Sequence, residues 1–126
     1  MLYSLSTLGT TYAKVDMSNI ATWRFGVGTT SSYIKFNNGL LICWGWINST
    51  GRKRIVYTPL AFANTSYKVA FTGEAPTSTD NTVTTYTVNN KYTSYFYVRG
   101  DFHNINTGVS GYPSEAFDWI AIGQWK

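Results

Sequence analysis

The run Tyr95-Phe-Tyr-Val-Arg-Gly-Asp-Phe-His-Asn104 concentrates side chains able to do recognition chemistry. Successive side chains of a strand point to opposite sides, so Phe96 and Val98 are expected to enter a core and leave Tyr95, Tyr97 and Arg99 on the other face. Exposed aromatic rings stack on the apolar faces of sugar rings, while Arg and Asp satisfy the hydroxyls. That is the chemistry of a carbohydrate site. The competing reading packs the stripe against another strand or subunit, with the tyrosine hydroxyls reaching water. Further on, Asp101, His103, Asn104, Asn106 and Tyr112 supply donors and acceptors for a polyol. The plain alternative for each of them is a polar loop that only connects.

Bond-breaking chemistry has less to work with. Glycan hydrolysis requires two carboxylates at matched separation, and the acids are Asp16, Glu74, Asp80, Asp101, Glu115 and Asp118. Asp101 and Glu115 bracket one loop that could bring them together. Asp118, beside Trp119, is read as capping or pairing with a Lys or Arg. A single His among many hydroxyl residues gives no sign of a Ser-His-Asp relay. His103 and Cys43 are each the only residue of their type, too few for a structural metal site. The expectation is a non-enzyme with no catalytic residue, no metal and no cofactor.

These residues need a rigid scaffold, and the composition points to strands. The chain has 126 residues, one domain by size, with 10 Tyr, 7 Phe and 5 Trp. Aromatic and β-branched residues favour pleated sheets, and length alone allows a core without staples. Charged residues make up 13%, about half the usual share. A net charge of +4 favours encounter with anionic surfaces, yet it is too modest and scattered to argue for nucleic acid. Its one cluster, Arg52-Lys53-Arg54, reads as a solvated hairpin turn, with an anion-binding tip as the alternative. No apolar run approaches the length of a membrane span, so no membrane insertion is expected. Cys43, between Ile42 and Trp44, reads as a buried inert thiol.

Residues 1–29 read as an irregular or weakly stranded lead-in or stalk end, although Leu2, Leu5 and Leu8 could line a short helical turn. Residues 30–126 read as a β-sandwich. Its expected strands are Ser32–Phe36 and Leu40–Asn48 about an Asn37-Asn38-Gly39 hairpin, then Arg54–Tyr57 and Tyr67–Thr72. Thr82–Val88 and Ser94–Arg99 follow across an Asn89–Lys91 turn, and Phe117–Trp125 closes the chain. A long loop is expected between Gly100 and Glu115, and such loops are often functional.

Two of these strands are apolar on both faces. In Phe117-Asp-Trp-Ile-Ala-Ile-Gly123, Trp119 and Ala121 face one way while Ile120 and Ile122 face the other. Leu40-Leu-Ile-Cys-Trp-Gly-Trp-Ile47 repeats the pattern without a charge. An antiparallel strand at the surface normally keeps one polar face. One face is therefore expected in the domain's own core and the other against a neighbouring subunit.

The Asn38-Gly-Leu-Leu-Ile-Cys-Trp-Gly45 strand, the Pro59–Tyr67 lead into a Val/Phe strand, Ser94–Arg99 and the closing Phe117–Gly123 together resemble the C-terminal domain of phage tail fibres. The resemblance covers roughly residues 36–125. The final Trp-Ile-Ala-Ile-Gly is also similar to the end of H-type lectin domains, which are antiparallel sandwiches that trimerise and bind sugars. The resemblance implies an all-β, H-type-lectin-like antiparallel β-sandwich, homotrimeric, at the distal end of a virion tail fibre encoded by a phage or a prophage. Its implied partner is a host cell-surface glycan. A structural trimerisation or capping domain, or a soluble lectin, stays open beside it. No residue carries over as a sugar contact, so Tyr95, Tyr97, Arg99, Asp101, His103, Asn104 and Tyr112 rest on their own chemistry.

Overall fold

The computed structural model describes residues 18–28, 30–48, 51–73, 81–113 and 116–126. Regular structure there is entirely β: β1 (Ala21–Arg24), β2 (Ser32–Phe36), β3 (Leu40–Ile47), β4 (Lys53–Tyr57), β5 (Lys68–Gly73), β6 (Thr82–Lys91), β7 (Tyr95–Asn104), β8 (Ser110–Gly111) and β9 (Phe117–Gln124). All pairings are antiparallel. A five-stranded sheet runs β1-β2-β3-β9-β5, and a second sheet runs β4-β7-β6 with β8 also on β7. The two sheets face each other as a sandwich.

The core lies between them, built by alternation. From the five-stranded sheet come Leu41, Cys43, Phe117, Trp119 and Ala121; from the other come Val56, Phe96 and Val98, all buried. Each fully buried large apolar side chain contributes about 1.5–3 kcal/mol. Phe96 meets Trp119 edge-on across the sheets, with ring centroids 5.6 Å apart. The segment between β4 and β5 closes one end, stacking Phe62 on Tyr67 at 4.2 Å. The Tyr67 hydroxyl donates to the Tyr92 carbonyl at 2.7 Å, and Lys91 Nζ donates to the Tyr67 carbonyl at 2.7 Å. Gly123 admits this pair, since a Cβ there would lie 2.5 Å from Tyr67 Cβ. Burial pushes the Cys43 thiol and the Tyr67 hydroxyl each up to about 12, so Cys43 is the inert thiol expected.

Several local expectations change. The β2–β3 hairpin forms, with three loop residues, Asn37 to Gly39, and Gly39 at φ 106°. The β6–β7 turn is not at Asn89–Lys91. A bulge between Val88 and Asn90 shifts the register and lets β6 continue to Lys91, and the chain reverses through Thr93 and Ser94, with Tyr92 N–H donating to the Tyr95 carbonyl at 2.9 Å. The extra residue of a bulge inverts the alternation beyond it, which places Asn90 beside Tyr97 on the outer face.

The expected loop after Gly100 is in part strand. β7 continues to Asn104, and β8 returns against Phe102 and His103. The Arg52-Lys53-Arg54 cluster is not one solvated turn. Lys53 opens β4, and Arg54 turns inward, 3% exposed, with its guanidinium 4.6 Å from the Phe117 ring centroid. Asp118 is exposed in β9, with no cationic partner among the described residues. Ala21–Arg24, within the stretch read as a lead-in, pairs with β2 as an edge strand. Asp16, Glu74, Asp80, Glu115, the Leu2–Leu8 segment and the Asp101–Glu115 approach lie outside the described residues.

Candidate functional site

The outer face of the four-stranded sheet gathers most of the residues singled out above. Phe96 and Val98 enter the core as expected. Alternation therefore aligns Tyr95, Tyr97, Arg99, Asp101 and His103 along the outside of β7, about 7 Å apart. Pairing brings neighbours that chain order hides: Tyr57 lies opposite Tyr95, Ile55 opposite Tyr97 and Lys53 opposite Arg99. On the β6 side, Thr87 lies opposite Arg99 and Thr85 opposite Asp101.

One end of the stripe is aromatic. Tyr92 stacks on Tyr95 with centroids 4.5 Å apart, Tyr97 meets Tyr95 edge-on at 5.9 Å, and Tyr57 leans on Tyr95 at 5.7 Å. Partial desolvation, and then the neighbouring Tyr92, Tyr97 and Tyr57, raise the Tyr95 phenol above the usual tyrosine range. Lys53 Nζ sits 4.2 Å from the Tyr97 ring centroid, a cation–π contact that fixes both side chains.

The middle is ionic. Arg99 Nε donates to Asp101 Oδ2 at 2.7 Å and Arg99 Nη2 to Asp101 Oδ1 at 3.3 Å, while Arg52 Nε lies 3.4 Å from Asp101 Oδ1. The hydrogen bonds from Arg99 hold the Asp101 carboxyl below the usual range, and that same partner raises Arg99.

The far end is a groove. β4 pairs with Tyr95–Arg99 of β7, and β8 pairs with Phe102 and His103. Because β6 occupies the other edge of β7, β4 and β8 share this edge with a gap between them. A cleft of about 530 Å³ opens at the gap, and its lining includes Arg52, Thr85, Asp101, His103, Ser110 and Tyr112. His103 Nδ1 and Ser110 Oγ are 2.7 Å apart, and the exposed Tyr112 ring stands at the rim. Asn104 sits at the end of β7 and organises the turn. Its Oδ1 accepts from the N–H groups of Asn106 and Thr107 at 3.0 and 3.1 Å.

The structure thus brings Asp101, His103 and Tyr112 to one cleft, links Arg99 to it through Asp101, and places Tyr95 and Tyr97 in the adjoining cluster. Tyr57, Thr85, Tyr92 and Ser110 were missed as site residues, and Arg52 and Lys53 entered only through the alternative of an anion-binding tip. Alternation in Lys53-Arg-Ile-Val-Tyr57 could have found Lys53 and Tyr57. The others arrive through pairing between distant strands.

The outer face of the five-stranded sheet is chemically different. Ile34, Ile42 and Ile122 lie side by side on β2, β3 and β9, and Trp44, Ile120 and Ala70 form the next row across β3, β9 and β5. Ile120 and Ile122 are 39% and 43% exposed, whereas Trp119 and Ala121, pointing inward, are 3% and 0%. A concavity of about 470 Å³ lies here, with Ile42, Trp44, Ile120 and Asp118 in its lining. Phe25 extends the apolar surface at the β1 edge, 5.9 Å from Trp44.

Comparison with known proteins gives two matches. The family described as "Putative tail fiber protein gp53-like, C-terminal" matches residues 35–124. An N-truncated R2-type pyocin tail fiber shares the fold at a TM-score of 0.54 and 16% identity, over 98% of this chain. The chain spans 48% of that fiber's length. The search of curated proteins gives no match. The chain belongs to the gp53-like family of tail fiber C-terminal domains.

Proposed function

We propose that this domain is the receptor-binding tip of a phage or prophage tail fibre, holding host cell-surface carbohydrate without catalysis. It assembles as a homotrimer through the outer face of the five-stranded sheet and recognises sugar on the outer face of the other. The observation that carries this reading is the separation of chemistry between the two faces. An apolar surface spanning four strands, β2 to β5 through β3 and β9, is about 14 Å wide at ordinary strand spacing. Contiguous apolar surface of that kind marks an interaction site. The number three comes from the resemblance to H-type lectins. The opposite face offers tyrosine rings, hydroxyls, an imidazole and guanidinium groups beside an open cleft, the groups that stack on and hydrogen-bond to a pyranose. Three copies on one rigid tip raise avidity through effective concentration.

The test is binding of fluorescently labelled protein to intact host bacteria and to a glycan array. Tyr97→Ala and Tyr112→Ala are expected to reduce binding about tenfold each, as loss of a stacking ring does. Unchanged binding in both variants would remove the site assignment. A second reading, a domain that only caps and registers the fibre, is favoured by the internal use of Asp101, whose two oxygens face Arg99 and Arg52. A folded trimer with no affinity for any glycan or bacterium would establish it.

A further inference from the structure

The carbohydrate face carries a charge imbalance that points to the class of sugar, an inference that rests on the glycan-binding reading above. Arg52, Lys53 and Arg99 lie together on it, since Lys53 pairs with Arg99 in register and both arginines converge on Asp101. Asp101 is the only acid among the described residues of this face; Asp118 belongs to the other sheet. Among the described residues, three cations against one carboxylate leave this face an excess of two positive charges.

This excess is presented to solvent. The side chains of Arg52 and Arg99 are 59% and 48% exposed. Each guanidinium has five N–H donors. Asp101 takes hydrogen bonds from Nε and Nη2 of Arg99, and Nε is the nearest atom of Arg52. Nη1 of Arg99 and both Nη groups of Arg52 make no hydrogen bond among the described residues. Asp101 therefore acts as a positioning residue: it holds two planar forks at the mouth of the cleft and leaves donors pointing away from itself. Arginine forks match carboxylate and phosphate oxygens in a bidentate manner. Arg52 also lines the cleft whose apolar wall is Val83 and whose rim is Tyr112, so an anion on the arginines would place its attached ring against these two side chains.

We infer that the sugar held in this cleft is acidic, a residue bearing a carboxylate or a phosphate group that docks on Arg52 and Arg99 while its ring lies against Val83 and Tyr112. Neutral sugars would keep the ring contacts and neutral hydrogen bonds but lack the charge-assisted bidentate bonds to the arginines.

The test is an NMR titration of the whole chain, following the Arg Nε–Hε resonances and the backbone amides of Val83, Thr85, Ser110 and Tyr112. The probes are sodium glucuronate, a hexose phosphate, methyl glucoside, sodium acetate and inorganic phosphate. Glucuronate or the hexose phosphate is expected to move the Arg52 and Arg99 resonances together with the cleft amides, saturably, and about tenfold more tightly than methyl glucoside. Whichever binds more tightly tells a carboxylate ligand from a phosphate one. Arg99→Gln and Arg52→Gln should each weaken the acidic sugar about tenfold, the size expected for a charge-assisted hydrogen bond, and weaken methyl glucoside by much less. Arg52 lies outside the strands, so its variant keeps the test valid if Arg99→Gln perturbs β7.

Methyl glucoside moving the cleft as tightly as glucuronate and the hexose phosphate would overturn the inference and leave the glycan-binding reading intact. Acetate and inorganic phosphate binding as tightly as the acidic sugars would also overturn it, because the arginines would then hold any anion. No response to any sugar would overturn it as well. The glycan reading itself is judged separately, by the cell-binding comparison of the tyrosine variants.

Discussion

The two outer faces of the sandwich follow the same two-residue alternation but present opposite chemistry to the solvent. Outside β9 and β3 stand Ile120, Ile122, Ile42 and Trp44, with Asp118 at one margin and Lys68 at another. Outside β7 stand Tyr95, Tyr97, Arg99, Asp101 and His103. The first set can gain free energy only by losing contact with water. The second is made of groups that stay stable in water and have directional bonds to offer. A β-sandwich has a single core to satisfy, so under the proposal a strand that is apolar on its outward side as well is covered by a second burial event. The outward stripe of rings and ions is, under the same proposal, a surface for a ligand that arrives solvated.

The largest effect expected from breaking this contrast is on assembly. The double substitution Ile120→Asp with Ile122→Asp should abolish trimer formation while leaving the far-ultraviolet circular dichroism unchanged, because neither side chain enters the core. Loss of folding instead would mean that the face stabilises the chain itself. Next comes the part that both faces share. Phe96 touches Tyr67, Phe71 and Trp119, and Phe96→Ala should cost about 3–5 kcal/mol in denaturant unfolding, weakening assembly and recognition alike.

A finer separation uses avidity. The isoleucine double variant should keep the affinity of a single site for a soluble sugar yet bind intact bacteria about a hundredfold more weakly, since the gain from linked sites is lost. Equal losses in both assays would tie the sugar site to the assembly face and erase the distinction between them.

The smallest effects come from pH. Cys43 and Tyr67 hold their protons to about 12 in the folded chain, above their ordinary values of 9.0 and 10.0. The unfolded chain releases these protons first, so folding stability should be level below pH 9 and fall as pH rises from there towards 12. Asp101 has the opposite sign. Its lowered carboxyl stabilises the fold above the ordinary carboxyl value of 3.8 and stops doing so as pH falls below it, a small effect at so exposed a site. Urea midpoints across pH 3 to 11 would show both arms.

Much of the framework was legible because it depends on local alternation. The inward pair Phe96 and Val98, the two-faced β9 and the reversal at Gly39 follow from residue types two or three positions apart. The register was not legible. The bulge at Val88 inserts one residue and turns Asn90 outward, which no pattern of apolar residues announces. Arg54 is buried between aromatic rings because β4 pairs with β7, while its neighbours in sequence made it look solvated. Gly100, Asp101 and Asn104 have low strand propensity, and they concealed the second half of β7. The site itself was half visible. Its β7 residues lie in one run, but Arg52, Thr85 and Ser110 reach the cleft only through pairing that sequence order cannot specify.

Sedimentation equilibrium on the purified protein tests the division between the two faces most directly. The unmodified protein is expected to sediment as three chains at micromolar concentration and the Ile120→Asp, Ile122→Asp variant as one. A stable single chain for the unmodified protein, with both isoleucines left in water, would contradict it.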